Sequence, residues 1–212
     1  MTLLTDETLA RDWIGALPGV SRETLDRLDR FTTLLTEEAG RQNLVAASTL
    51  GSALWVRHLA DSAQLLPLAP PSGGHWIDLG SGAGLPGVAI AILAPHWRVT
   101  LVESRRLRCD FLRAAVADLG LDAQVTVAQR RVEVHRDGPY DVISARAYAP
   151  LPALLTSANH LAKKSTVWLL PKGKNAVNEL STLPQAWQKL FHVEPSRTDS
   201  EARILVGTGS FR

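Results

Sequence analysis

The sequence predicts an α/β protein built on a mostly parallel, doubly wound sheet, and three observations support this fold class. Short strand-like segments alternate with helical segments from residue 75 onwards, which is typical of strand–helix–strand crossovers. A glycine-rich turn follows the first predicted strand, at the edge of the sheet where such folds bind ligands. The 212 residues are 45% hydrophobic and 21% charged, a composition that supports a sizeable core in a globular protein.

The first part of the chain is predicted to be helical rather than part of the sheet. A helix is expected after Ser21, a candidate N-cap with Thr24 at the capping-box position. Apolar residues then recur at helical spacing, namely Leu25, Leu28, Phe31, Leu34 and Leu35. A second helix fits residues 49–66, and the proline- and glycine-rich stretch 67–74 indicates a linker.

The α/β pattern begins after this linker. We therefore divide the chain into an N-terminal helical extension, residues 1–70, and a doubly wound domain, residues 71–212. The predicted strands are residues 75–79, 98–103, 123–129, 140–146, 165–173 and 203–209. The predicted helices are residues 85–94, 105–119, 151–162 and 175–190.

The composition argues against several classes of protein. Cys109 is the only cysteine, so we expect no intrachain disulfide and no cysteine-rich zinc site, and we predict that the protein binds no metal. Pro86 and Gly87 interrupt the longest apolar run, so no membrane span is expected. Acidic residues near the N-terminus are unlike a signal peptide, and together these features predict a cytoplasmic protein.

Arginine is concentrated in two segments, residues 103–113 and 129–136, although the net charge is only +2. The sequence pI of about 8.9 permits nucleic-acid binding without requiring it. Two interpretations stay open at this point. The segments form either an RNA-binding surface or a solvated helix face followed by a solvated loop.

The glycine-rich turn "GSGAGLPG" (80–87) can be aligned with ligand-binding turns in two ways. Starting from Gly82 it matches the dinucleotide pattern G-x-G-x-x-G, whereas starting from Gly80 it gives G-x-G-x-G directly after the strand. The first glycine should follow the strand immediately because it forms the tight turn, which favours Gly80. Leu85 and Pro86 place apolar bulk and no N–H donor where a pyrophosphate needs an open helix N-terminus. The turn therefore favours a ligand without a phosphate bridge.

Two further regions suit a ligand that contains adenosine. Glu103 ends the second predicted strand, where a carboxylate can accept both hydroxyls of a ribose in NAD enzymes and in S-adenosylmethionine (AdoMet) enzymes alike. Val132 and Glu133 follow the third predicted strand, where they offer an apolar wall and an acceptor for an adenine ring. The plainer alternatives are a surface strand end for Glu103 and a solvated loop acid for Glu133.

If the ligand is AdoMet, the reaction is a methyl transfer, and the sequence limits the acceptor. The loop "SARAYAP" (144–150) lacks the Asn/Asp-Pro-Pro-aromatic pattern used on exocyclic amines, and Cys109 lies in a predicted helix, where we interpret it as structural rather than as a nucleophile. Guanine N7 has a free lone pair and no proton to lose, so its methylation needs placement rather than a strong base. Arg146 is placed to bind the cofactor or guanine O6, and a salt bridge near the sheet end is the alternative.

Seven segments together resemble the bacterial small-subunit rRNA guanine-N7 methyltransferases, a family also called glucose-inhibited division protein B. They are "NLVAAS" (43–48), "WVRHLADSAQLL" (55–66), "WIDLGSGAGLPGVAIAIL" (76–93), "VESRRLRCDFLRAAV" (102–116), "RRVE" (130–133), "ISARAYA" (143–149) and "LLPKGKN" (169–175). The Leu-Pro-Gly ending of the glycine turn, combined with R-H-x-x-D-S upstream, is more specific than G-x-G-x-G alone.

The resemblance implies a Rossmann-like AdoMet-dependent methyltransferase with an N-terminal helical extension. It implies methylation at N7 of one guanine in the decoding region of 16S rRNA, with 16S rRNA or the 30S ribosomal subunit as partner. Loss of such activity is associated with low-level streptomycin resistance. We expect a monomer that does not associate with membranes.

The resemblance and the residue-level reasoning together assign the site. The expected cofactor-binding residues are Gly80, Ser81, Gly82, Gly84, Leu85, Glu103, Ser104, Val132, Glu133 and Arg146, and Arg146 is also the expected catalytic residue. The expected substrate-binding residues are Arg57, His58, Arg105, Arg106, Arg131 and Lys172. For Arg57, His58 and Asp61 of the R-H-x-x-D-S segment, packing between the extension and the main domain is an equally good explanation.

Two other functions stay open on the sequence alone. An NAD(P)-dependent oxidoreductase could use the overlapping G-x-G-x-x-G, but neither Tyr140 nor Tyr148 has a lysine four residues later. A ribosome-binding module without catalytic activity could retain the same glycine turn.

Overall fold

A computed structural model of the protein, which describes residues 2–211, confirms the predicted α/β fold. The strands are β1 (Gly74–Leu79), β2 (Trp97–Glu103), β3 (Val125–Gln129), β4 (Tyr140–Ser144), β5 (Ala162–Lys172), β6 (Phe191–Pro195) and β7 (Arg203–Thr208). They form one sheet in the order β3-β2-β1-β4-β5-β7-β6, in which β1 to β5 are parallel and β7 is antiparallel to both neighbours. The winding reverses between β1 and β4, which places a ligand-binding crevice at their carboxyl ends.

The helices flank this sheet. They are α1 (Glu7–Gly15), α2 (Arg22–Ala39), α3 (Asp61–Ala63), α4 (Gly87–Leu93), α5 (Arg106–Asp118), α6 (Leu151–Ala158), α7 (Ala176–Ser181) and α8 (Gln185–Gln188). The predicted capping box of α2 is confirmed, because Ser21 and Thr24 each accept the backbone N–H of the other. Among residues 2–211, no helix has both the length and the apolar character needed to cross a membrane.

Two hydrophobic layers enclose the sheet because neighbouring strand residues point to opposite faces. Trp76 and Leu169 belong to the layer that α1, α2, α4 and α5 cover, whereas Ile77 and Leu170 belong to the layer under α6 and α7. The N-terminal helices therefore share a core with one face of the sheet. Their separation as a unit ending near residue 70 stays a prediction.

Several elements differ from the prediction. The helix α1 was missed, although Asp6 caps it by accepting the N–H of Leu9. The edge strand β6 was also missed, because its residues are only partly buried and alternate weakly. The helix predicted over 175–190 is two short helices, since Pro184 cannot continue a helix. Within the helix predicted over 49–66, Trp55–Ala60 form a π-helical turn that leads into α3.

Candidate active site

The glycine-rich turn between β1 and α4 presents backbone at the mouth of the crevice. Gly80 follows the last residue of β1 and has a φ of +65°, which confirms the alignment that starts at Gly80. A Cβ atom on Gly80 would lie only 2.6 Å from Cδ2 of Tyr148, so a glycine is required for the Tyr148 ring to approach. Pro86 is the N-cap of α4, where no intrahelical bond needs its missing N–H.

Asp78 in β1 is a functional candidate that the sequence analysis missed. Its carboxylate is fully buried, with Oδ2 accepting the Gly87 N–H at 3.2 Å and Oδ1 accepting the Ser144 hydroxyl at 3.0 Å. The Trp76 indole N–H donates in turn to Ser144 Oγ at 2.9 Å. Burial raises the pKa of Asp78 to about 6 in spite of these hydrogen bonds. The available signal was an acid inside an otherwise apolar strand, and its role is to tie the turn to α4 and β4.

Glu103 holds the other side of the glycine turn. Its Oε2 accepts the Gly82 N–H at 3.1 Å, and its Oε1 accepts the N–H groups of Ser104 at 2.7 Å and Arg105 at 2.8 Å. The Arg108 guanidinium lies 3.8 Å from Oε2. A carboxylate has about four acceptor positions, so one remains for a hydroxyl of a bound ligand once three are used. The surface strand end considered as an alternative does not apply, because Glu103 is only 5% exposed.

A cavity of about 370 Å³ lies at the carboxyl ends of β1, β2 and β3, and we call it the cup. Its lining residues are Gly80, Val102, Glu103, Ser104, Arg105, Arg108, Arg130, Arg131, Val132, Glu133, Ala147 and Tyr148. The volume is in the range of small-molecule sites, which is about 300–1,000 Å³. Among the predicted cofactor-binding residues, Gly80, Glu103, Ser104, Val132 and Glu133 line the cup, whereas Arg146 does not.

The remaining predicted cofactor-binding residues lie in the glycine turn behind the surface of the cup. Ser81 and Leu85 are 2% and 4% exposed, and the Ser81 hydroxyl donates to the carbonyl of Asp78. Gly82 donates its N–H to Glu103, and a Cβ on Gly84 would lie 2.7 Å from Val88 Cγ2. Ser81, Gly82, Gly84 and Leu85 thus shape the turn without lining the cavity.

Arg146 follows β4, and the R-H-x-x-D-S segment holds it in place. Its Nη1 donates to the carbonyl of Arg57 at 3.2 Å, to Nδ1 of His58 at 3.1 Å and to Oδ2 of Asp61 at 3.3 Å. Within residues 2–211, its Nε and Nη2 groups have no hydrogen-bond partner. The side chain is 19% exposed. One end of the guanidinium is thus fixed while the other end is available to a ligand.

His58 is held as a neutral ring. Its Nδ1 accepts from Arg146, so Nε2 carries the proton and donates to Thr49 Oγ1 at 2.8 Å. Burial, together with the nearby guanidinium groups of Arg146 and Arg57, lowers the pKa of His58 to about 3. This geometry suits a residue that positions Arg146, and direct contact between His58 and a substrate stays a prediction.

A larger cavity of about 790 Å³ adjoins the cup and shares Ala147 and Tyr148 with it. Its walls come from the π-helical turn, the loop after β4, the end of β5, α7 and the β6–β7 hairpin. Three ion pairs face it: Asp61 with Arg146 at 3.3 Å, Glu179 with Lys172 at 2.8 Å, and Asp199 with Arg57 at 3.2 Å. These are the carboxylates that line the larger cavity, so each one is paired with a cation.

The predicted substrate-binding arginine and lysine residues do not share one surface. Arg57 and Lys172 line the larger cavity, whereas Arg105 and Arg131 are exposed at the edge of the cup. Together with Arg108 and Arg130, the latter pair forms what we call the arginine rim of the cup. Arg106 is outside both cavities, on the surface of α5, where it pairs with Asp110 at 3.6 Å.

Comparisons with known proteins agree with this architecture. A solved structure of precorrin-6y C5,15-methyltransferase from Geobacter metallireducens GS-15 superimposes with a TM-score of 0.54 at 12% identity, covering 78% of this chain and 93% of that one. A mutant of MtNAS in complex with S-adenosylmethionine superimposes with a TM-score of 0.56 at 17% identity, covering 96% of this chain and 77% of that one. At such identities these likenesses show the fold alone.

The sheet order and the cavity at the strand ends define a protein of the Rossmann-like α/β class, with its ligand site at the carboxyl ends of the parallel strands. A model of the GidB family, described as rRNA small subunit methyltransferase G, matches residues 24–203. The ribosomal RNA small subunit methyltransferase G of Sphingopyxis alaskensis is 54% identical over 208 residues, covering 98% of this chain and 88% of that protein. The chain therefore belongs to the rRNA small subunit methyltransferase G family, which confirms the resemblance seen in the sequence.

Proposed function

We propose that this protein transfers a methyl group from AdoMet to N7 of a guanine in 16S rRNA. The observation that carries the proposal is that, among residues 2–211, the larger cavity offers no free base to an acceptor. Each carboxylate that lines it is paired with Arg146, Lys172 or Arg57. His58 has a pKa of about 3 and its Nδ1 is occupied, so it cannot accept a proton near neutral pH. Such a site suits an acceptor that has no proton to lose, as guanine N7 does.

The residues of the cup fit AdoMet as a cofactor. Gly80 lines the cup with backbone and no side chain, and the fixed carboxylate of Glu103 keeps an acceptor position for a ribose hydroxyl. Val132 is 3% exposed and offers an apolar wall to an adenine ring, with the exposed acid Glu133 beside it. When bound, AdoMet supplies a sulfonium-activated methyl group.

We assign the free end of Arg146 to the carboxylate of the cofactor rather than to guanine O6. The methyl transfer forms a bond from the N7 lone pair to the methyl carbon while the carbon–sulfur bond breaks, so positive charge moves onto the base. An unpaired guanidinium near that base would oppose the change, whereas a guanidinium–carboxylate contact is strongly favourable and offsets the positive charge of Arg146. Arg146 thus orients the methyl donor toward the larger cavity. Its three contacts with the protein fix the position of the guanidinium.

The partner follows from the relatives and from the arginine rim. The S. alaskensis relative carries the name of a ribosomal RNA small subunit methyltransferase, and we propose the same class of substrate for this chain. Arg105, Arg108, Arg130 and Arg131 surround the cup, where an RNA backbone would pass on its way to the methyl donor. We propose that the protein acts in the cytoplasm, where ribosomal subunits are assembled.

Methyl incorporation into small-subunit rRNA tests the proposal. Purified protein and labelled AdoMet are incubated with 30S subunits, and separately with protein-free 16S rRNA, from cells that lack the gene. We expect label at N7 of one guanine in at least one substrate, mapped by chemical cleavage at 7-methylguanine, and none in 23S rRNA. Binding of NAD instead of AdoMet would support the oxidoreductase, and AdoMet binding without incorporation into either substrate would support the non-catalytic module.

A further inference from the structure

Tyr148 occupies a special position between the two cavities. It lines both the cup and the larger cavity, and its ring lies directly over Gly80, the first residue after β1. Its hydroxyl is 3.3 Å from Ser157 Oγ, which anchors the ring from the side of α6. Any substrate in the larger cavity would approach the cup past this ring.

The backbone is strained where it places this ring. Ala147 has a φ of +52° and is the one residue other than glycine with a positive φ among residues 2–211. A residue with a Cβ atom is disfavoured in this region, and such strain persists where the surrounding structure enforces it, often at functional sites. The strained residue immediately precedes Tyr148. The positive φ of Ala147 therefore turns the backbone so that the Tyr148 ring lies next to Gly80.

The position of N7 in RNA supplies the second argument. In an A-form helix the N7 edge of guanine faces a deep and narrow groove that side chains cannot enter. A methyl donor held in a cup at the end of a sheet therefore cannot reach N7 while the base remains stacked in a helix. Enzymes with this problem take the nucleotide out of the stack and hold the base in a pocket. The larger cavity, at about 790 Å³, has the volume for a nucleoside.

We infer that the target guanosine leaves its stack and enters the larger cavity, where the base stacks on Tyr148 with N7 facing the cup. This inference rests on the proposed function, and it names Tyr148 as a substrate-binding residue. The ring must be aromatic for this role, whereas its hydroxyl serves only to hold the ring against Ser157. An aromatic platform is a sequence-tolerant way to hold a base that has lost its neighbours.

Three variants separate these roles: Tyr148→Leu removes the ring but keeps apolar bulk, Tyr148→Phe keeps the ring, and Ser157→Ala removes the anchor. We expect Tyr148→Leu to lower kcat/KM for the rRNA substrate by about tenfold or more, the range of a lost base–aromatic stack. We expect Tyr148→Phe and Ser157→Ala to stay within about threefold of the parent, since the stack is retained. Because Tyr148 also lines the cup, the Kd for AdoMet is measured by calorimetry in all three variants, and in Tyr148→Leu we expect it to change by a smaller factor than kcat/KM does.

The outcomes distinguish the inference from the proposed function. A parent enzyme that incorporates no methyl group into rRNA overturns the proposed function and this inference with it. If the parent enzyme methylates rRNA and Tyr148→Leu is equally active, only this inference is overturned. Equal loss of AdoMet affinity and rRNA turnover in Tyr148→Leu would overturn it as well, because the ring would then only support Gly80. If Tyr148→Leu does not fold, Tyr148→Met applies the same criteria.

Discussion

The cup is assembled from the carboxyl ends of three neighbouring strands, whereas the larger cavity is assembled from segments far apart in the chain. Gly80, Glu103 and Val132 lie immediately after or near the end of three parallel strands, and backbone N–H groups fix the key carboxylate. The larger cavity instead depends on long-range side-chain bonds, such as those of Asp61 with Arg146 and with Thr198. The cup is thus a product of the sheet, while the larger cavity requires the N-terminal segment and the β6–β7 hairpin to be docked.

Replacing Glu103 by glutamine should have the largest effect of the substitutions considered, and that effect should be a loss of AdoMet affinity. It changes a carboxylate that holds the glycine turn of the cup. An amide nitrogen cannot accept the N–H groups that the carboxylate now accepts, nor can it accept a ribose hydroxyl. A hydrogen bond to a charged group contributes about 1.5–3 kcal/mol, and at the upper end of that range the Kd for AdoMet rises about 150-fold, which is the change we expect. Isothermal titration calorimetry measures this change.

Glu133→Gln is the matched control for that experiment. Glu133 lines the same cup but is exposed, and within residues 2–211 its carboxylate accepts no backbone N–H of the kind that fixes Glu103. We expect less than about a tenfold loss of AdoMet affinity in this variant. Equal losses in the two variants would contradict the distinction between a fixed and a solvated acid.

The cup could be predicted from the sequence because its parts occur at fixed points of the α/β pattern. A glycine directly after a strand and an acid at the end of the next strand become neighbours in any parallel sheet, so Gly80 and Glu103 needed no knowledge of distant contacts. The buried Asp78 was missed because its partner Ser144 lies on a strand 66 positions away.

The larger cavity could be predicted only in pieces. Arg57, His58 and Arg146 were each selected, but their association across 88 and 89 positions could not be inferred from spacing. The same holds for Glu179, which pairs with Lys172 from a short helix that the sequence merged with its neighbour. Tyr148 was passed over because its importance comes from its place over Gly80, which only the structure reveals.

Asp78, which ties the glycine turn to α4 and β4, should make the free energy of unfolding depend on pH. Its pKa is raised from 3.8 to about 6 by burial, so the folded state binds the proton more tightly than the unfolded chain does. The resulting stabilisation is fully present below pH 3.8 and is lost as the pH rises through 6. Relative to Asp78→Asn, the parent should lose about 3 kcal/mol of unfolding free energy between about pH 4 and pH 7. Urea unfolding at several pH values measures it.

Asp141→Asn is the control with the opposite sign. Burial acts to raise the pKa of Asp141, but hydrogen bonds from the His75 N–H and from Lys163 outweigh it and lower the pKa. The parent should therefore gain stability over Asp141→Asn as the pH rises through the range where this carboxyl titrates, and the gain should be complete above pH 3.8. If both variants shift in the same direction with pH, the assignment for Asp78 is wrong.

Arg146→Lys tests the larger cavity next to the residues that it shares with the cup. Lysine keeps the positive charge but cannot hold the contacts of Nη1 and still present a planar pair of donors to a carboxylate. We expect single-turnover methyl transfer to fall about 100-fold, the effect of losing a positioned donor. Arg30→Lys is the control, because Arg30 also forms a two-point pair with a carboxylate, Asp118, but at a surface outside both cavities. An Arg146→Lys enzyme as active as Arg30→Lys would remove Arg146 from the mechanism.

The smallest effect is expected at the arginine rim, where Arg131 is exposed and where we propose that it attracts RNA only through its charge. Arg131→Ala should weaken 16S rRNA binding several-fold at low salt and lower the slope of log affinity against log salt by about one. Its control is Arg98→Ala, an exposed arginine near the start of β2, at the opposite edge of the sheet from the cup. Filter binding across a series of potassium chloride concentrations measures both slopes. Equal slopes for Arg131→Ala and Arg98→Ala would mean that the rim is only a solvated face, and that rRNA is held mainly by the larger cavity.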